Sequence, residues 1–439
     1  MSLMAGNILS VDIGTSSLKA AFIDFDGKLH AFIRESYGQE ASFSLHAEAW
    51  LKAFIFALKK LNTFAPEFSP DAICISGNGP TLVPVMGNGE TLPPLCWNSG
   101  KIVLSREGLE VSQAHPVPES GAEPSFFLPH VAWFKKKSPQ EYSKVKVFIS
   151  SHEWLSGRLG AQPYTSLPSS AYKPYYWDDE QCSLYGMEKE KFPPFLNMGS
   201  VAGQLSQEAV SLLSVNRCLQ SGIPIIAGGP DFITALVGTN TGKPGDVCDR
   251  TGSSEGINVC ASGPVAAEGL RVLPHAREGL WNISVVIPSA GKLFDEYLKE
   301  TRQQNRSYSE ILTELIPSSF LIKQSEMNKG RAVLCTMGYN VHLALETLKH
   351  AGFEVSVMRL SGSQAKNARW NQFKADITGV TLEVPEIPDG ELAGNAVIAA
   401  ASLEGIGRDE AADKMIRIRD VYRPGNKDFW KERYRNLQK

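Results

Sequence analysis

Apolar positions recur along the chain with two periods. Short alternating or continuous apolar runs closed by Gly, Pro, Asn or Asp predict strands over residues 8–12, 18–24, 71–76, 82–86, 145–148, 247–250, 355–360 and 382–384, and another from Pro224 to Gly228-Gly229. Three-and-four spacing predicts helices over 47–61 (Trp50, Phe54, Leu58, Leu61), 127–133, 292–304, 307–315 and 332–351. Further helices follow Asn367 (Trp370, Phe373, Ile377), cover 392–401 with small residues, and close the chain beyond Pro424. Segment 178–222 reads as one or two helices, and 163–174 as an ordered loop rich in Ser, Thr and Tyr. Strands interleaved with helices place the chain in the α/β class.

The stretch 225–256 is the centre of this pattern. A short apolar strand ends at Gly228-Gly229 and delivers Asp231 to the start of a helix carrying Ile233, Ala235 and Leu236. A capping aspartate is common at such a place. Here it is followed by the turn Thr251-Gly252-Ser253-Ser254-Glu255-Gly256, and two more Gly/Ser turns follow apolar strands, after Val11-Asp12 and after Arg359-Leu360. Three such turns with isolated aspartates suit a split nucleotide site. In the first, Gly14, Thr15, Ser16 and Ser17 offer backbone N–H groups and hydroxyls to phosphate oxygens, although a plain hairpin has the same composition. No Gly-x-x-x-x-Gly-Lys-Ser/Thr motif occurs, which disfavours a P-loop enzyme. Asp12 at a strand end suits Mg2+ held through water, since that ion takes few protein carboxylates. Asn78, Gly79 and Pro80 form a polar loop at a strand exit that can offer hydrogen bonds to a polyol, or serve as an ordinary turn.

With these motifs in order, the chain resembles the FGGY family of carbohydrate kinases, within the larger actin and hexokinase group. The resemblance rests on Asp12-Ile13-Gly14-Thr15-Ser16-Ser17-Leu18-Lys19, Gly228-Gly229-Pro230-Asp231, Thr251-Gly252-Ser253-Ser254, and Ser361-Gly362-Ser363-Gln364-Ala365-Lys366-Asn367 with Trp370 and Ala375-Asp376. It implies two ribonuclease-H-like (actin-like ATPase) domains flanking a central cleft, divided here at 1–224 and 225–439. It implies ATP and Mg2+ as cofactors, a small ketose or polyol as substrate, and Asp231 as the base on the acceptor hydroxyl. Asp12 and Asp231 are the metal candidates. Asn78, Gly79, Pro80 and Trp97 join Asp231 as substrate-site candidates. Gly14 to Ser17, Gly252, Ser253 and Ser254 are the phosphate candidates, and Gly362, Ser363, Gln364 and Asn367 the adenosine candidates. The central loop is more similar to xylulose kinase relatives than to glycerol kinase relatives.

The chain departs from the family where substrate choice is made. Trp97-Asn98-Ser99-Gly100-Lys101 stands where Trp-x-Asp-x-Arg is usual, the Gly-Glu-Arg-x-Pro stretch is absent, and the second half is short. Glu255 adds negative charge beside a phosphate turn unless it bonds back to the chain, with Arg250 as the nearby offset. These departures keep open a second reading, a noncatalytic nucleotide-binding sensor or actin-like module that retains the fold.

Composition narrows the picture further. At 439 residues the chain calls for two cores. A net charge of −3 without a long basic run argues against nucleic acid or an anionic membrane as partner; the resemblance implies a small sugar as partner, with a homodimer left open. Seven cysteines without a Cys-x-x-Cys pair read as reduced cytoplasmic thiols, mostly core residues. His152 is placed at a helix start or on the surface, without a ligand role. No secretory leader and no membrane-length apolar run is evident, and Met1-Ser2-Leu3 before Met4 is compatible with an added leader.

Overall fold

The structure is a computed structural model, and it describes residues 6–37, 46–96, 125–213, 219–252, 254–288 and 290–437. The chain divides into two compact units: Met1–Thr234 with Ala276–Glu278 and Glu391–Met415, and Ala235–His275 with Gly279–Gly390 and Ile416–Lys439.

The first unit is built on a six-stranded sheet. Asn7–Ile13 and Ser17–Asp24 form a hairpin, Leu29–Ser36 extends it, and Asn7–Ile13 also pairs in parallel with Ala72–Gly77. Pro224–Pro230 then lies parallel to Ala72–Gly77, with Val201–Gln204 antiparallel at the far edge. The inner strands are apolar on both faces because both are covered, Ile8, Leu9, Val11, Ile13, Ile73 and Ile75 all being fully buried. The Ala47–Phe64 helix turns Trp50, Phe54, Leu58 and Leu61 into this core. The small-residue helix Gly390–Glu404 contributes Asn395, whose side-chain amide donates to the Val11 carbonyl at 2.8 Å and to Ser76 Oγ at 2.9 Å.

The second unit repeats the plan. Val247–Thr251 and Glu255–Ala261 form a hairpin, Trp281–Ile287 extends it, and Val247–Thr251 pairs in parallel with Val357–Gly362, followed by Thr381–Pro385. Arg271–Pro274 and Ile418–Tyr422 close the two edges of this seven-stranded sheet. In both units a leading strand therefore lies between its hairpin partner and a parallel neighbour, so the turn after that strand sits at the same place in each sheet.

Several of the elements the sequence reading missed are short and lack alternation, although Leu29–Ser36 and Glu255–Ala261 are full-length strands that it also missed. Val201–Gln204 and Phe195–Asn197 lie in the segment expected to be purely helical, beside the short helices Asp179–Leu184 and Gln207–Leu213. Thr165–Leu167 and a 3-10 turn, Ser170–Tyr175, occupy the expected loop. Three- and four-residue strands owe their form to a neighbouring strand, so their own pattern carries little signal. Of the two placements expected for His152, the helix start is the one found, in Ser151–Leu159, and the residue is buried there rather than on the surface.

Gly228 has a packing reason to be glycine: a Cβ there would lie 2.0 Å from the Ile75 carbonyl oxygen and 3.2 Å from Asn395 Oδ1. Replacing Gly228 with Ala is expected to lower unfolding free energy by about 1–3 kcal/mol, the usual cost of overpacking. Urea denaturation measures this, and a variant as stable as the parent would show that the strands separate freely here.

Candidate active site

Strand register assembles the first group of residues. In the leading hairpin Asp12 lies opposite Lys19, and in the parallel pair it lies beside Ser76. Ser76 Oγ donates to Asp12 Oδ1 at 2.9 Å. Lys19 Nζ lies 3.6 Å from Asp12 Oδ2 and 3.4 Å from Glu391 Oε2, so one ammonium serves two buried carboxylates. Asp12 is 2% exposed. Burial pushes its carboxyl up to about 7 against the pull of Lys19, and Glu391 and Asp231 push the same way through their negative charge.

Asp231 is the first residue of the Asp231–Gly238 helix, directly after the Pro224–Pro230 strand. It is half-buried, and its Oδ1 accepts from the Phe232 N–H at 2.7 Å. The polar loop expected to meet substrate abuts it. Gly77 pairs with Pro230, and a Cβ on Gly79 would lie 4.0 Å from Pro230 Cβ. Asn78 is buried; its N–H donates to the Ile13 carbonyl at 2.8 Å and its Oδ1 accepts from Ser151 Oγ at 3.3 Å. Gly79 and Pro80 are half-buried. Trp97 lies outside the described residues.

The Gly14–Ser17 turn is closed by the Gly14 N–H donating to the Ser17 carbonyl at 3.0 Å. The Tyr37 hydroxyl donates to the Gly14 carbonyl at 3.2 Å, and Arg34 Nε donates to Ser17 Oγ at 2.9 Å. Ser17 is buried, Thr15 is half-buried and Ser16 is exposed, which leaves the last two at the turn's outer rim.

In the second unit two turns lie side by side through the Thr251–Gly362 register. The Gly252 N–H donates to the Ser254 carbonyl at 2.8 Å; Gly252 is exposed, Ser254 is half-buried, and Ser253 lies outside the described residues. Gly362 has φ +103°, and a Cβ on it would lie 2.0 Å from the Thr251 carbonyl oxygen, so no other residue fits. Ser363 is exposed, and Gln364 is half-buried with an Oε1 that lacks a hydrogen-bond partner. Asn367 caps the Ala368–Thr378 helix, its side chain accepting from the Trp370 N–H at 3.0 Å.

Glu255 does bond back to the chain. Arg250 was the expected offset; the buried cation bonded to Glu255 is Lys374, which also binds Asp249. Lys374, Lys19, Ser76 and Glu391 are the residues that sequence reasoning missed as members of these sites. Lys19 had a usable signal, because a hairpin turning at 14–17 places it opposite Asp12. Glu391 and Lys374 had none: 372 residues separate Lys19 from Glu391, and 119 separate Glu255 from Lys374.

Residues 7–238 match the FGGY family of carbohydrate kinases, N-terminal domain, and residues 277–403 match its C-terminal domain, so the chain belongs to that family. It is thereby a phosphotransferase with an alcohol group as acceptor, and the noncatalytic reading is not favoured. Xylulose kinase of Staphylococcus epidermidis is 22% identical, the match covering 97% of this chain and 95% of that one. Among solved structures, xylulose kinase from Rhodospirillum rubrum superposes with a TM-score of 0.76 at 17% identity, covering 98% of this chain and 97% of the other. Gluconate kinase from Lactobacillus acidophilus does so with a TM-score of 0.77 at 16% identity, covering 99% and 98%. Neighbours named for different acceptors share the fold, which is the actin-like ATPase fold with two sheet-rich units.

Replacing Lys19 with Met removes the ammonium shared by the buried Asp12 and Glu391 carboxylates. Unfolding free energy at neutral pH is expected to fall by at most about 3–5 kcal/mol, the range for breaking a buried ion pair from one side. Urea titration of the variant checks this, and a loss below about 1 kcal/mol would mean that solvent, rather than Lys19, balances Asp12 and Glu391.

Proposed function

We propose that the protein is an ATP-dependent kinase of a small ketose or polyol, with a xylulose-like ketopentose as the preferred acceptor. The observation that carries this reading is the convergence, within the first unit, of Asp12 and Asp231 beside the Gly77–Pro80 loop. Asp231 sits at a helix start next to that loop, and Asp12 feels its charge. The substrate class is supported by the xylulose kinases among its relatives.

In this reading Asp231 orients the acceptor hydroxyl and takes its proton, while Asn78, Gly79, Pro80 and Trp97 shape the sugar site. Gly14 to Ser17 and Gly252 to Ser254 hold phosphate oxygens, and Gly362, Ser363, Gln364 and Asn367 meet the adenosine. Phosphoryl transfer needs an aligned hydroxyl, neutralised charge and exclusion of water, more than covalent chemistry from the protein. The work of these residues is therefore positioning.

The acidic group fits a hydrated magnesium ion. Asp12, Glu391 and Asp231 outnumber Lys19, and among the described residues no group of three or more His, Cys, Asp or Glu could hold an ion. A site with few direct ligands and an excess of negative charge suits an ion that keeps its waters. Asp12 and Asp231 would hold it, and when bound it supplies neutralising charge to the phosphates. Among the described residues no helix is long and apolar enough to cross a membrane, and no disulfide joins Cys74, Cys96, Cys182, Cys248, Cys260 or Cys335. We assign the reaction to the cytoplasm, where ATP and reduced thiols coexist.

Two measurements test the proposal. Asp231→Ala should lower sugar-dependent ADP formation by about a hundredfold or more, as loss of a general base does, while ADP binding changes little; full turnover in that variant removes Asp231 from the mechanism. Across a panel of ketoses and polyols, D-xylulose should stimulate ATP consumption more than glycerol or gluconate. A reversed order would transfer the substrate assignment to another branch of the family.

A further inference from the structure

The two turns of the second unit assigned to the nucleotide are joined by one buried side chain. Lys374, 1% exposed, belongs to the Ala368–Thr378 helix, whose cap Asn367 ends the Gly362-containing turn. Its ammonium donates to Asp249 Oδ2 and to Glu255 Oε1. Asp249 belongs to the strand that enters the Gly252 turn, and Glu255 is the first residue of the strand that leaves it. Both carboxylates are fully or almost fully buried.

We propose that Lys374 is a positioning residue for ATP: by clasping Asp249 and Glu255 it sets the hairpin conformation in which Gly252 and Ser254 meet the phosphates, and ties that hairpin to the helix following the adenosine turn. The proposal rests on the reading of those turns as the nucleotide site. Lys374 touches no reacting atom.

Charge balance explains why such a clasp is conditional. Two buried carboxylates face one ammonium, and Asp249 Oδ1 and Glu255 Oε2 have no further hydrogen-bond partner. Burial pushes the Glu255 carboxyl up to about 8 against the pull of Lys374, and Asp249 pushes it up as well. Burial pulls the Lys374 ammonium down, but Asp249 and Glu255 together raise it above the ordinary lysine range. Near neutral pH burial and the neighbouring Asp249 therefore favour the protonated form of Glu255 beside the Lys374 ammonium. The charged groups acting on Glu255 are Asp249 from the neighbouring strand and Lys374 from the helix; its register partners Thr251 and Ile287 bring no charge. The folded pKa of Glu255 stands above its unfolded value, so its contribution to the clasp is complete at acid pH and is lost as pH rises through about 8.

The test is calorimetric titration of the full-length protein with ADP and Mg2+. The parent's dissociation constant is expected to rise about fivefold or more between about pH 7 and about pH 9, whereas in Glu255→Gln, which cannot ionise, it changes less than about twofold. The same rise in both proteins overturns the proposal. Lys374→Met should weaken ADP binding about tenfold or more while still unfolding cooperatively on heating, and parental binding in a folded variant also overturns it. If Lys374→Met does not fold, the Glu255→Gln profile decides alone. Gly252→Asp separates this proposal from the site reading beneath it. Weaker binding in that variant, with a parental pH profile in Glu255→Gln, sinks the role of Lys374 only. Parental ADP binding by Gly252→Asp sinks the nucleotide turn, and the role of Lys374 with it.

Discussion

A lysine shared between two buried carboxylates is the interaction on which both units depend. In the first unit Lys19 stands between Asp12 and Glu391, and in the second Lys374 stands between Asp249 and Glu255. An unpaired buried carboxylate costs several kcal/mol, so neither arrangement would persist without its cation. In each case an acid sits on the leading strand of a hairpin, next to a Gly/Ser turn, and the balance is incomplete. Burial pushes the Asp12 carboxyl up to about 7 and the Glu255 carboxyl up to about 8, with the neighbouring acids adding to it and the lysine in each unit opposing it. Excess negative charge means different things in the two places. Around Asp12 the third acid is Asp231, at the proposed reaction centre and proposed magnesium site; around Glu255 burial favours the protonated carboxyl.

The repeated sheet plan supplies the positions for this chemistry. A leading strand flanked by its hairpin partner and a parallel neighbour brings one long-range strand end next to the hairpin turn. In the first unit that places Ser76 and the Gly77–Pro80 loop beside Asp12, and in the second it places Gly362 against Thr251. Gly228 and Gly362 are among the residues where backbones approach too closely for a side chain. Structures named xylulose kinase and gluconate kinase share this architecture, so the fold by itself does not fix the acceptor.

Much of this was legible in the chain itself. Continuous apolar strands, Gly/Ser turns at their ends and aspartates at turn boundaries are local features, set by backbone sterics and by hydrophobic period. They located the Asp12, Asp231, Gly252 and Gly362 segments and the long helices, including the small-residue helix that carries Asn395. They also flagged Glu255 as a charge in need of a partner, which it is.

The tertiary structure alone decided the partners. Nothing near Glu255 in sequence announces Lys374, nothing near Lys19 announces Glu391, and His152, polar and close to a helix start, gave no sign that it would be buried. Short strands such as Val201–Gln204 exist because a neighbour pairs with them, not because their residues insist on it. The sequence by itself determined where strands end and which acids stand there, because steric limits and hydrophobic spacing act over a few residues. Which cation balances Glu391, Asp249 and Glu255 was decided by sheet register and helix packing over more than a hundred residues, because burial cost is settled only by whatever the fold brings alongside.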